Sequence, residues 1–348
     1  MRAVIAGGGV AGASLAKWLL KLGHEVKVYD GNRKLGCRCA WGSFKSHLLD
    51  ELEPLIGPCK DLIITEVENV YFNKIPVKIT NLCIINKPLM IRRLLDGVDL
   101  ERKYVNLRFL RKCDADLKVW ATGKPLGYLR GAHLRTYQAK VVLEGLQPNT
   151  AYIYLHDTAG YSWLFPASKN GKVWHLGAGH LFEDPKLHCK LLLSKYGFKP
   201  VKEICHCSRR LFVSSPSWVD LYRNGIVVVG EAAGVVDPIS GEGILPSLLS
   251  SRLLAQGIAI YATPNTPKNW STLATTYYAE NLVQALRINE KSFRVAKGAV
   301  GAQNLLDIPK MLSFANFLVK RKKHKREIRY GAVKLIFELV RLSLRHAQ

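Results

Sequence analysis

The chain has 348 residues, 48% of them hydrophobic, and is therefore long enough to bury a large core. Its 51 lysines and arginines outnumber 27 aspartates and glutamates, and the net charge of +24 favours an anionic partner: a membrane surface, a phosphorylated substrate or nucleic acid. Eight cysteines spread over this length exclude the dense disulfide framework of a small secreted domain, so we expect an intracellular protein with reduced thiols. No run of eighteen apolar residues occurs, which argues against a membrane-spanning helix.

The N-terminal stretch RAVIAGGGVAGASLAKWLLKLGHEVKVYD predicts a strand, a tight turn, a helix and a second strand. Its glycines have the G-x-G-x-x-G spacing of a dinucleotide-binding turn. Gly7 permits the turn, Gly9 lets the backbone approach a pyrophosphate, and Gly12 lets the helix pack closely on the strand. The first helical residues, Val10 and Ala11, present unpaired N–H groups to the phosphates. The same start has the charged and apolar runs of a signal peptide, but the glycine spacing favours the nucleotide-binding interpretation.

An acidic residue at each of two strand ends extends this pattern. Asp30 ends the second strand, eighteen residues beyond Gly12, where it can accept hydrogen bonds from a ribose. Far along the chain, GIVVVGEAAGVVDPISGEGILPSLL predicts a buried strand, a turn and a long helix. Its glycines let a flat ring lie against the backbone, and the helix N-terminus favours an anionic reduced flavin. In this late motif we expect the cofactor to contact Glu231, Pro238, Gly241, Gly243 and Ile244.

The pairing of these two glycine-rich motifs resembles the FAD-dependent flavoproteins of the para-hydroxybenzoate hydroxylase fold. In that family the late motif reads G-D-A-A-G-x-x-x-P-x-x-G-x-G, and Glu231 stands here in place of the aspartate. Within the family, GYSWLFPAS at residues 160–168 resembles the Y-x-W-x-F-P signature of the geranylgeranyl reductases, of archaeal type, and GEGI in the late motif matches it as well. The segment RCAWG falls where those reductases carry a cysteine–glycine segment, although Ala40 follows Cys39 here. The resemblance covers roughly residues 1–290.

The resemblance implies an α/β fold in which a Rossmann-like FAD-binding domain is interleaved with an antiparallel β-sheet substrate domain, with a helical C-terminus. We expect a discontinuous FAD-binding domain at 1–64, 82–130 and 218–300, a sheet domain at 65–81 and 131–217, and a basic helical segment at 301–348. The resemblance also implies that the turn at Gly123 closes onto FAD. An arginine of a middle helix, Arg92 or Arg93, is expected near the cofactor phosphates.

The substrate side is predicted from a cysteine loop and an aromatic strand. The resemblance places Cys39 beside the flavin as the candidate proton donor, whereas Cys37 is expected to pack in the core. Aromatic residues alternate in the YxWxF motif, so they should share one face of a strand. Three rings on one face suit a long apolar ligand, although a sheet face packed on its neighbour has the same pattern. The expected substrate-binding residues are Trp41, Tyr161, Trp163, Phe165 and Pro166.

We expect no metal site. The cysteine loop offers Cys37 and Cys39, and a later strand offers Cys205, His206 and Cys207, but C-x-C spacing is poorer for zinc than the usual two to four intervening residues. A disulfide inside C-x-C would be strained, while a bridge from Cys39 to Cys205 or Cys207 stays open.

The resemblance implies an FAD-dependent reductase that saturates carbon–carbon double bonds of a polyprenyl (geranylgeranyl) chain, in membrane lipids or their precursors. Hydride would come from the reduced flavin and a proton from Cys39 or an ordered water, since an isolated alkene accepts hydride poorly without an acid. A single complete dinucleotide fingerprint is visible, so the electron donor, NAD(P)H or ferredoxin, is expected to dock transiently. Two alternatives stay open: a monooxygenase or hydroxylase of the same fold, and a basic, non-catalytic flavoprotein that binds membranes or nucleic acid.

The C-terminal stretch VKRKKHKREIRYGAVKLIFELVRLSLRHAQ predicts a membrane-surface element. Seven of the ten residues from Lys320 to Arg329 are lysine or arginine, and the helix that follows places Val333, Ile336 and Leu344 close to one face. A helix docked on the protein itself has the same pattern, and nucleic acid is the weaker alternative. We therefore expect a cytoplasmic protein that is held peripherally on the inner face of the cell membrane through residues 320–348.

Overall fold

The computed structural model describes residues 1–32, 41–126, 131–156, 160–238, 240–263 and 269–287. The predictions for Cys37, Cys39 and the basic segment 320–348 fall outside the described residues. Within them the chain forms two β-sheets and the helices that cover these sheets.

The bounds of the elements follow in chain order. The strands are β1 (Arg2–Ala6), β2 (Glu25–Tyr29), β3 (Gly42–Phe44), β4 (Ile63–Phe72), β5 (Ile75–Ile85), β6 (Asp99–Glu101), β7 (Leu117–Trp120), β8 (Ala132–Val142), β9 (Thr150–Leu155), β10 (Gly160–Pro166), β11 (Val173–His180), β12 (Lys202–Val213), β13 (Tyr222–Arg223) and β14 (Ile226–Val228). The helices are α1 (Val10–Lys21), α2 (Lys45–Ile56), α3 (Lys87–Leu94), α4 (Leu107–Lys112), α5 (Pro185–Tyr196), α6 (Ile244–Tyr261) and α7 (Trp270–Ala285).

The first sheet has the order β13-β14-β7-β1-β2-β6 and is parallel except for the β13–β14 pair. Its central strands are buried apolar runs, as expected for a parallel sheet covered by helices. The helix α1 connects β1 to β2 and buries Leu15 and Leu19 completely. On the far side of α1 lies α6, whose Ser251 Oγ donates a hydrogen bond to the Ala11 carbonyl at 2.7 Å. The carboxyl ends of β1, β2, β7 and β14 consequently lie along one edge of the sheet, where ligands of such folds bind.

The second sheet has the order β12-β8-β11-β10-β9-β4-β5-β3 and is antiparallel except for the β4–β9 pair. One of its faces packs against α5 in a separate core. That core contains Tyr137 of β8, Leu164 of β10 and Trp174 of β11, together with Cys189 and Leu192 of α5. Because side chains alternate along a strand, the neighbouring residues of β8, β10 and β11 form the opposite face, which is turned away from α5.

The predicted architecture, a Rossmann-like unit interleaved with an antiparallel sheet, is confirmed by this topology. The sheet unit is larger than the predicted segments 65–81 and 131–217. The strand β3 belongs to it, since Gly42–Phe44 pairs with β5, and the hairpin of β4 and β5 extends from Ile63 to Ile85. A three-residue strand gives too short a pattern of alternation to be recognised in the sequence.

The helix α6 is long and apolar enough to cross a membrane by length and composition alone. Most of its residues are nevertheless buried within the protein, where α6 packs between α1 and α7. At this contact the fully buried Tyr278 of α7 donates a hydrogen bond from Oη to the Val228 carbonyl at 2.8 Å. The burial of α6 is that of a core helix.

Three buried histidines lie together at one end of the second sheet: His156 after β9, His180 at the end of β11, and His188 in α5. The ring centroids of His156 and His188 are 4.0 Å apart, and those of His180 and His188 are 4.4 Å apart. Burial, reinforced by the neighbouring imidazoles, lowers the pKa of His156 to about 3. The folded protein therefore holds His156 neutral at pH values where the unfolded chain protonates it.

Replacing His156 with leucine should make the protein more resistant to acid. As the pH falls from 6.5 towards 3, the unfolded wild-type chain binds a proton at His156 that the folded chain does not bind, so folding is disfavoured. The stability advantage of His156→Leu over the wild type should then grow by about 1.4 kcal/mol per pH unit in this window. Urea unfolding at pH 7 and pH 5 measures the change, and His133→Leu, at an exposed position, is the control. An advantage that is equal at both pH values would contradict this prediction.

Candidate active site

The turn between β1 and α1 has the geometry of a phosphate-binding turn. Gly7 has a φ of +109°, which residues with side chains rarely adopt, and a Cβ there would lie 2.4 Å from the Ala121 carbonyl oxygen. A Cβ at Gly12 would lie 1.9 Å from the Gly7 carbonyl oxygen, so Gly12 is needed for close packing. At Gly9, the N-cap of α1, no atom of the described residues lies within 4 Å of an added Cβ. The N-terminus of α1 can therefore receive a pyrophosphate, which a side chain at Gly9 would displace.

Asp30 lies at the carboxyl end of β2, beside this turn. It is 6% exposed, and its Oδ2 accepts a hydrogen bond from the Gly8 N–H at 2.7 Å. Its Oδ1 accepts hydrogen bonds from the backbone N–H and the Nδ2 of Asn32 at 2.7 and 2.8 Å. The carboxylate thus fixes the turn at Gly8, just ahead of Val10 and Ala11, the first residues of α1. Its contact with a ribose stays a prediction.

The late glycine motif forms the loop that leads into α6. Gly241 has a φ of +67°, and a Cβ there would lie 2.7 Å from the Tyr161 Oη. The Tyr161 hydroxyl donates a hydrogen bond to the Ser240 carbonyl in the same loop. This contact joins the aromatic strand β10 to the glycine loop. The motif residues that the structure brings together here are Pro238, Gly241, Gly243, which is the N-cap of α6, and Ile244.

Glu242, in the same loop, is a site residue that the sequence analysis missed. Its Oε1 accepts hydrogen bonds from the Leu245 N–H at 2.9 Å and from the Ser43 Oγ at 3.2 Å. It thereby links the start of α6 to β3. Burial raises the pKa of Glu242 to about 7, and the hydrogen bonds from Leu245 and Ser43 oppose a larger rise. This carboxyl therefore exchanges a proton near neutral pH.

Glu231 follows β14 at the edge of the first sheet. Its Oε2 accepts a hydrogen bond from Arg209 Nη2 at 2.7 Å, and its Oε1 accepts one from the Phe212 N–H at 3.1 Å. A Cβ at Gly123, where φ is +76°, would lie 3.3 Å from Glu231 Oε2. The two predicted residues therefore meet, but Arg209 of β12 holds the carboxylate. Burial raises the pKa of Glu231, and the guanidinium of Arg209 opposes the rise.

Tyr161, Trp163 and Phe165 share one face of β10, as their alternation predicts. The rings of Tyr161 and Trp163 have centroids 5.5 Å apart. The Trp163 indole lies over the next strand, where a Cβ at Gly177 would be 2.3 Å from its ring. Phe165 lies against Gly42, at 3.5 Å from the position of a Cβ. Leu164, between the aromatic residues, packs in the α5 core, so the aromatic face is turned away from that core and, through Tyr161, towards the glycine loop. Pro166 pairs with Trp174 and lies on the same side of the strand as Leu164, apart from the aromatic residues.

Trp41 lies directly before β3 and is 4% exposed. Its ring contacts the His175 ring, with centroids 4.3 Å apart, and Lys140 Nζ lies 4.2 Å from its centroid. His175 Nδ1 faces Gln138 Nε2 at 2.9 Å, and burial lowers the pKa of His175 to about 3.

Three buried ring nitrogens on this face lack a protein partner among the described residues. The Nε1 atoms of Trp41 and Trp163 and the Nε2 of His175 have no hydrogen-bond partner in the part of the chain that the structure describes. Buried donors normally have a partner, so their presence points to an acceptor-bearing group. A flavin ring, with its carbonyl oxygens, is such a group. The donor set and the open turn at Gly9 therefore both fit FAD.

The sequence analysis missed two further residues of the candidate site, Lys87 and Arg209. They reach the site only through the packing of elements that are far apart in the chain. Lys87, the first residue of α3, is 7% exposed, and its charge acts on both Glu231 and His175. Arg209 comes from β12. Neither residue lies in a recognisable motif, and only the pairing of the strands brings Arg209 and His175 to the same face.

Arg92, predicted near the cofactor phosphates, is not brought to the glycine turn. It is exposed on α3 and lines a cleft with Lys17 and Lys21, which lie in the C-terminal half of α1. The alternative, Arg93, pairs with Asp61. The glycine turn is at the opposite end of α1, so the buried cation that α3 contributes near the site is Lys87, at its first turn.

Sequence comparison relates part of the chain to lipid reductases. The digeranylgeranylglycerophospholipid reductase of Thermoplasma volcanium is 26% identical over 144 residues, which cover 39% of this chain and 36% of that protein. The enzyme of the same name from Thermoplasma acidophilum is 25% identical over 144 residues with the same coverage. The match thus spans about a third of the length of these relatives. No protein-family model matches the chain.

Structural comparison covers nearly the whole chain. A geranylgeranyl bacteriochlorophyll reductase-like protein of Thermoplasma acidophilum has a TM-score of 0.73 at 18% identity, over 97% of this chain and 98% of that one. The tetracycline destructase Tet(51) has a TM-score of 0.63 at 13% identity, over 90% and 94%. CtdE, in complex with FAD and a substrate, has a TM-score of 0.59 at 13% identity, over 87% and 90%.

These structural matches show the fold, and FAD, the predicted cofactor, is bound to this fold in CtdE. The predicted resemblance to the geranylgeranyl reductases is thus confirmed, on a chain that has the fold of the FAD-dependent oxidoreductases.

Proposed function

We propose that the protein is an FAD-dependent reductase that saturates carbon–carbon double bonds of a polyprenyl chain. The observation that carries this proposal is the contact between the aromatic face of β10 and the glycine loop before α6, through Tyr161 and Gly241. The curated relatives named as digeranylgeranylglycerophospholipid reductases support the substrate class. An apolar chain needs an apolar wall beside the cofactor, and Trp163 and Phe165 provide one.

FAD, when bound, supplies hydride chemistry. The chain's own residues hold and orient the reactants. The N-terminus of α1 would hold the pyrophosphate next to Gly9, and the buried ring nitrogens of Trp41, Trp163 and His175 would hydrogen-bond the polar atoms of the flavin. The aromatic face binds the prenyl chain and excludes water from the reacting carbons.

Reduction of an isolated alkene also needs an acid. We propose Cys39 for this role, as the family resemblance implies; in the sequence it stands two residues before Trp41. Glu242 is a second group able to give up a proton near neutral pH, because its pKa is about 7 and it is hydrogen-bonded to Ser43 of β3. The electron donor, NAD(P)H or ferredoxin, is proposed to dock transiently.

Replacing Cys37 and Cys39 one at a time tests the proton donor. Cys39→Ser should keep FAD but lower the rate of double-bond reduction by about 10²-fold or more, the usual contribution of a general acid. Cys37→Ser is the matched control and should reduce at the wild-type rate. The rate is measured anaerobically from the saturated lipid formed. Equal rates for Cys39→Ser and the wild type would remove Cys39 from the mechanism and leave Glu242 as the proposed acid.

A second candidate function is oxygenation. The solved structures that share this fold include the tetracycline destructase and 2-methyl-3-hydroxypyridine-5-carboxylic acid oxygenase, the latter with a TM-score of 0.60. Oxygen consumption coupled to a hydroxylated product would favour this candidate. Reduction that proceeds without oxygen favours the reductase.

A further inference from the structure

A cleft of about 700 Å³ lies on the FAD-binding half, away from the glycine turn. It is formed by the C-terminal part of α1, the end of α2 and the helix α3. Since α1 rises about 1.5 Å per residue, Lys21 in the cleft is about 16 Å along the helix axis from Val10 at the turn. We call this site the basic cleft, defined by Lys17, Lys21, Arg92, Arg93, Asp96 and the apolar side chains beside them.

The charge of the basic cleft favours an anion. It is lined by four cationic side chains and one carboxylate, that of Asp96. Lys17 Nζ donates a hydrogen bond to the Asp96 carbonyl at 2.8 Å, and Arg93 pairs with Asp61, so these two cations have partners. Lys21 and Arg92 are exposed, and neither forms an ion pair with a residue that the structure describes. Their positive charges are thus directed at solvent and available to a ligand.

The same cleft has an apolar lining. Leu20, Ile56 and Leu89 are half-buried and border the cleft. A free inorganic anion would not bury the apolar surface of these side chains. A hydrocarbon chain attached to the anion would cover that surface and so stabilise binding.

We propose that the basic cleft binds a phosphate-bearing lipid, with the phosphate at Lys21 and Arg92 and the beginning of the hydrocarbon chain against Leu20 and Leu89. Guanidinium and ammonium groups form strong charge-assisted hydrogen bonds with phosphate oxygens. This site is separate from the cofactor turn and from the aromatic face. It therefore does not depend on the proposed reductase activity.

Isothermal titration of the FAD-loaded protein tests the proposal. The probes are decyl phosphate below its micelle concentration, inorganic phosphate and decanol. We expect decyl phosphate to bind at least about tenfold more tightly than either fragment, and Lys21→Gln/Arg92→Gln to weaken its binding by about tenfold or more. Arg108→Gln/Lys112→Gln, which removes two exposed cations spaced four residues apart on α4, is the matched control and should bind as the wild type does.

The three probes distinguish the sources of the phosphate. Equal affinities for inorganic phosphate and decyl phosphate would overturn the lipid assignment, as would equal weakening by the α1/α3 and α4 variants. Wild-type affinity in Lys21→Gln/Arg92→Gln would place the binding outside the cleft. Because both replaced side chains are exposed, an unchanged FAD content and melting temperature should accompany the loss of binding.

Discussion

Gly9→Val should yield a folded protein that contains almost no FAD. A Cβ at Gly9 meets no atom of the described residues within 4 Å, and its φ of −73° is open to any residue, so the fold should tolerate the change. Valine in place of glycine at an N-cap costs about 1 kcal/mol or less. Its methyl groups would nevertheless occupy the space at the N-terminus of α1 where the pyrophosphate has to approach the backbone. FAD released by acid and quantified by chromatography, together with the melting temperature, measures both effects.

Gly12→Val is the informative comparison. A Cβ at Gly12 would lie 1.9 Å from the Gly7 carbonyl oxygen, so this substitution should prevent the turn and the helix from packing and lower the yield of folded protein. The two substitutions in one motif would thus have different effects: Gly9→Val would lose FAD binding, and Gly12→Val would lose folded protein. A Gly9→Val protein that retains FAD in wild-type amounts would show that the phosphate does not bind at this turn.

Gly177→Ala should destabilise the protein and disturb the aromatic face, although alanine normally suits a strand better than glycine does. The added Cβ would lie 2.3 Å from Cζ2 of the Trp163 ring, so the indole must move out of its position over β11. Overpacking of this kind costs about 1–3 kcal/mol. We expect a lower melting temperature, a changed tryptophan emission spectrum and weaker binding of prenyl substrates.

Gly179→Ala, two residues further along β11 and on the same face, is its matched control. There the nearest atoms would be the Thr136 Cγ2 at 3.8 Å and the Leu134 Cδ2 at 3.9 Å, which are ordinary van der Waals contacts. This variant should therefore keep the stability and the emission spectrum of the wild type. If both alanine variants have the same melting temperature and emission spectrum, the position of the Trp163 ring does not depend on the missing side chain at residue 177.

The sequence predicted those parts of the site that local pattern encodes. The turn with Gly7, Gly9 and Gly12, the acid at the end of β2 and the aromatic alternation in β10 each depend on residues close together in the chain. Their geometry follows from backbone conformation and strand periodicity, which a short segment reveals. The two-sheet architecture was implied by the family resemblance that these motifs carry.

The residues that the sequence analysis missed reach the site only through the pairing of particular strands. Arg209 reaches Glu231 only because β12 pairs with β8 at the edge of the second sheet, and His175 meets Trp41 across that sheet. The resemblance implies an arginine of the middle helix, Arg92 or Arg93, near the cofactor phosphates. In the structure the charge of Lys87, in the first turn of α3, acts on Glu231 and His175, whereas Arg92 lines the cleft beside Lys21. Pairing and helix rotation are set by tertiary packing, which one sequence does not display.

The most direct test of the proposed reductase is mass spectrometry of lipid products after anaerobic incubation with a chemical reductant and geranylgeranyl lipids. The account predicts products heavier by two hydrogen atoms for each reduced double bond, formed only when FAD is present and lost in Gly9→Val. It also predicts that oxygen adds nothing to the yield. Unchanged lipids under anaerobic conditions, with hydroxylated products once oxygen is admitted, would contradict the proposed reduction and establish the oxygenase instead.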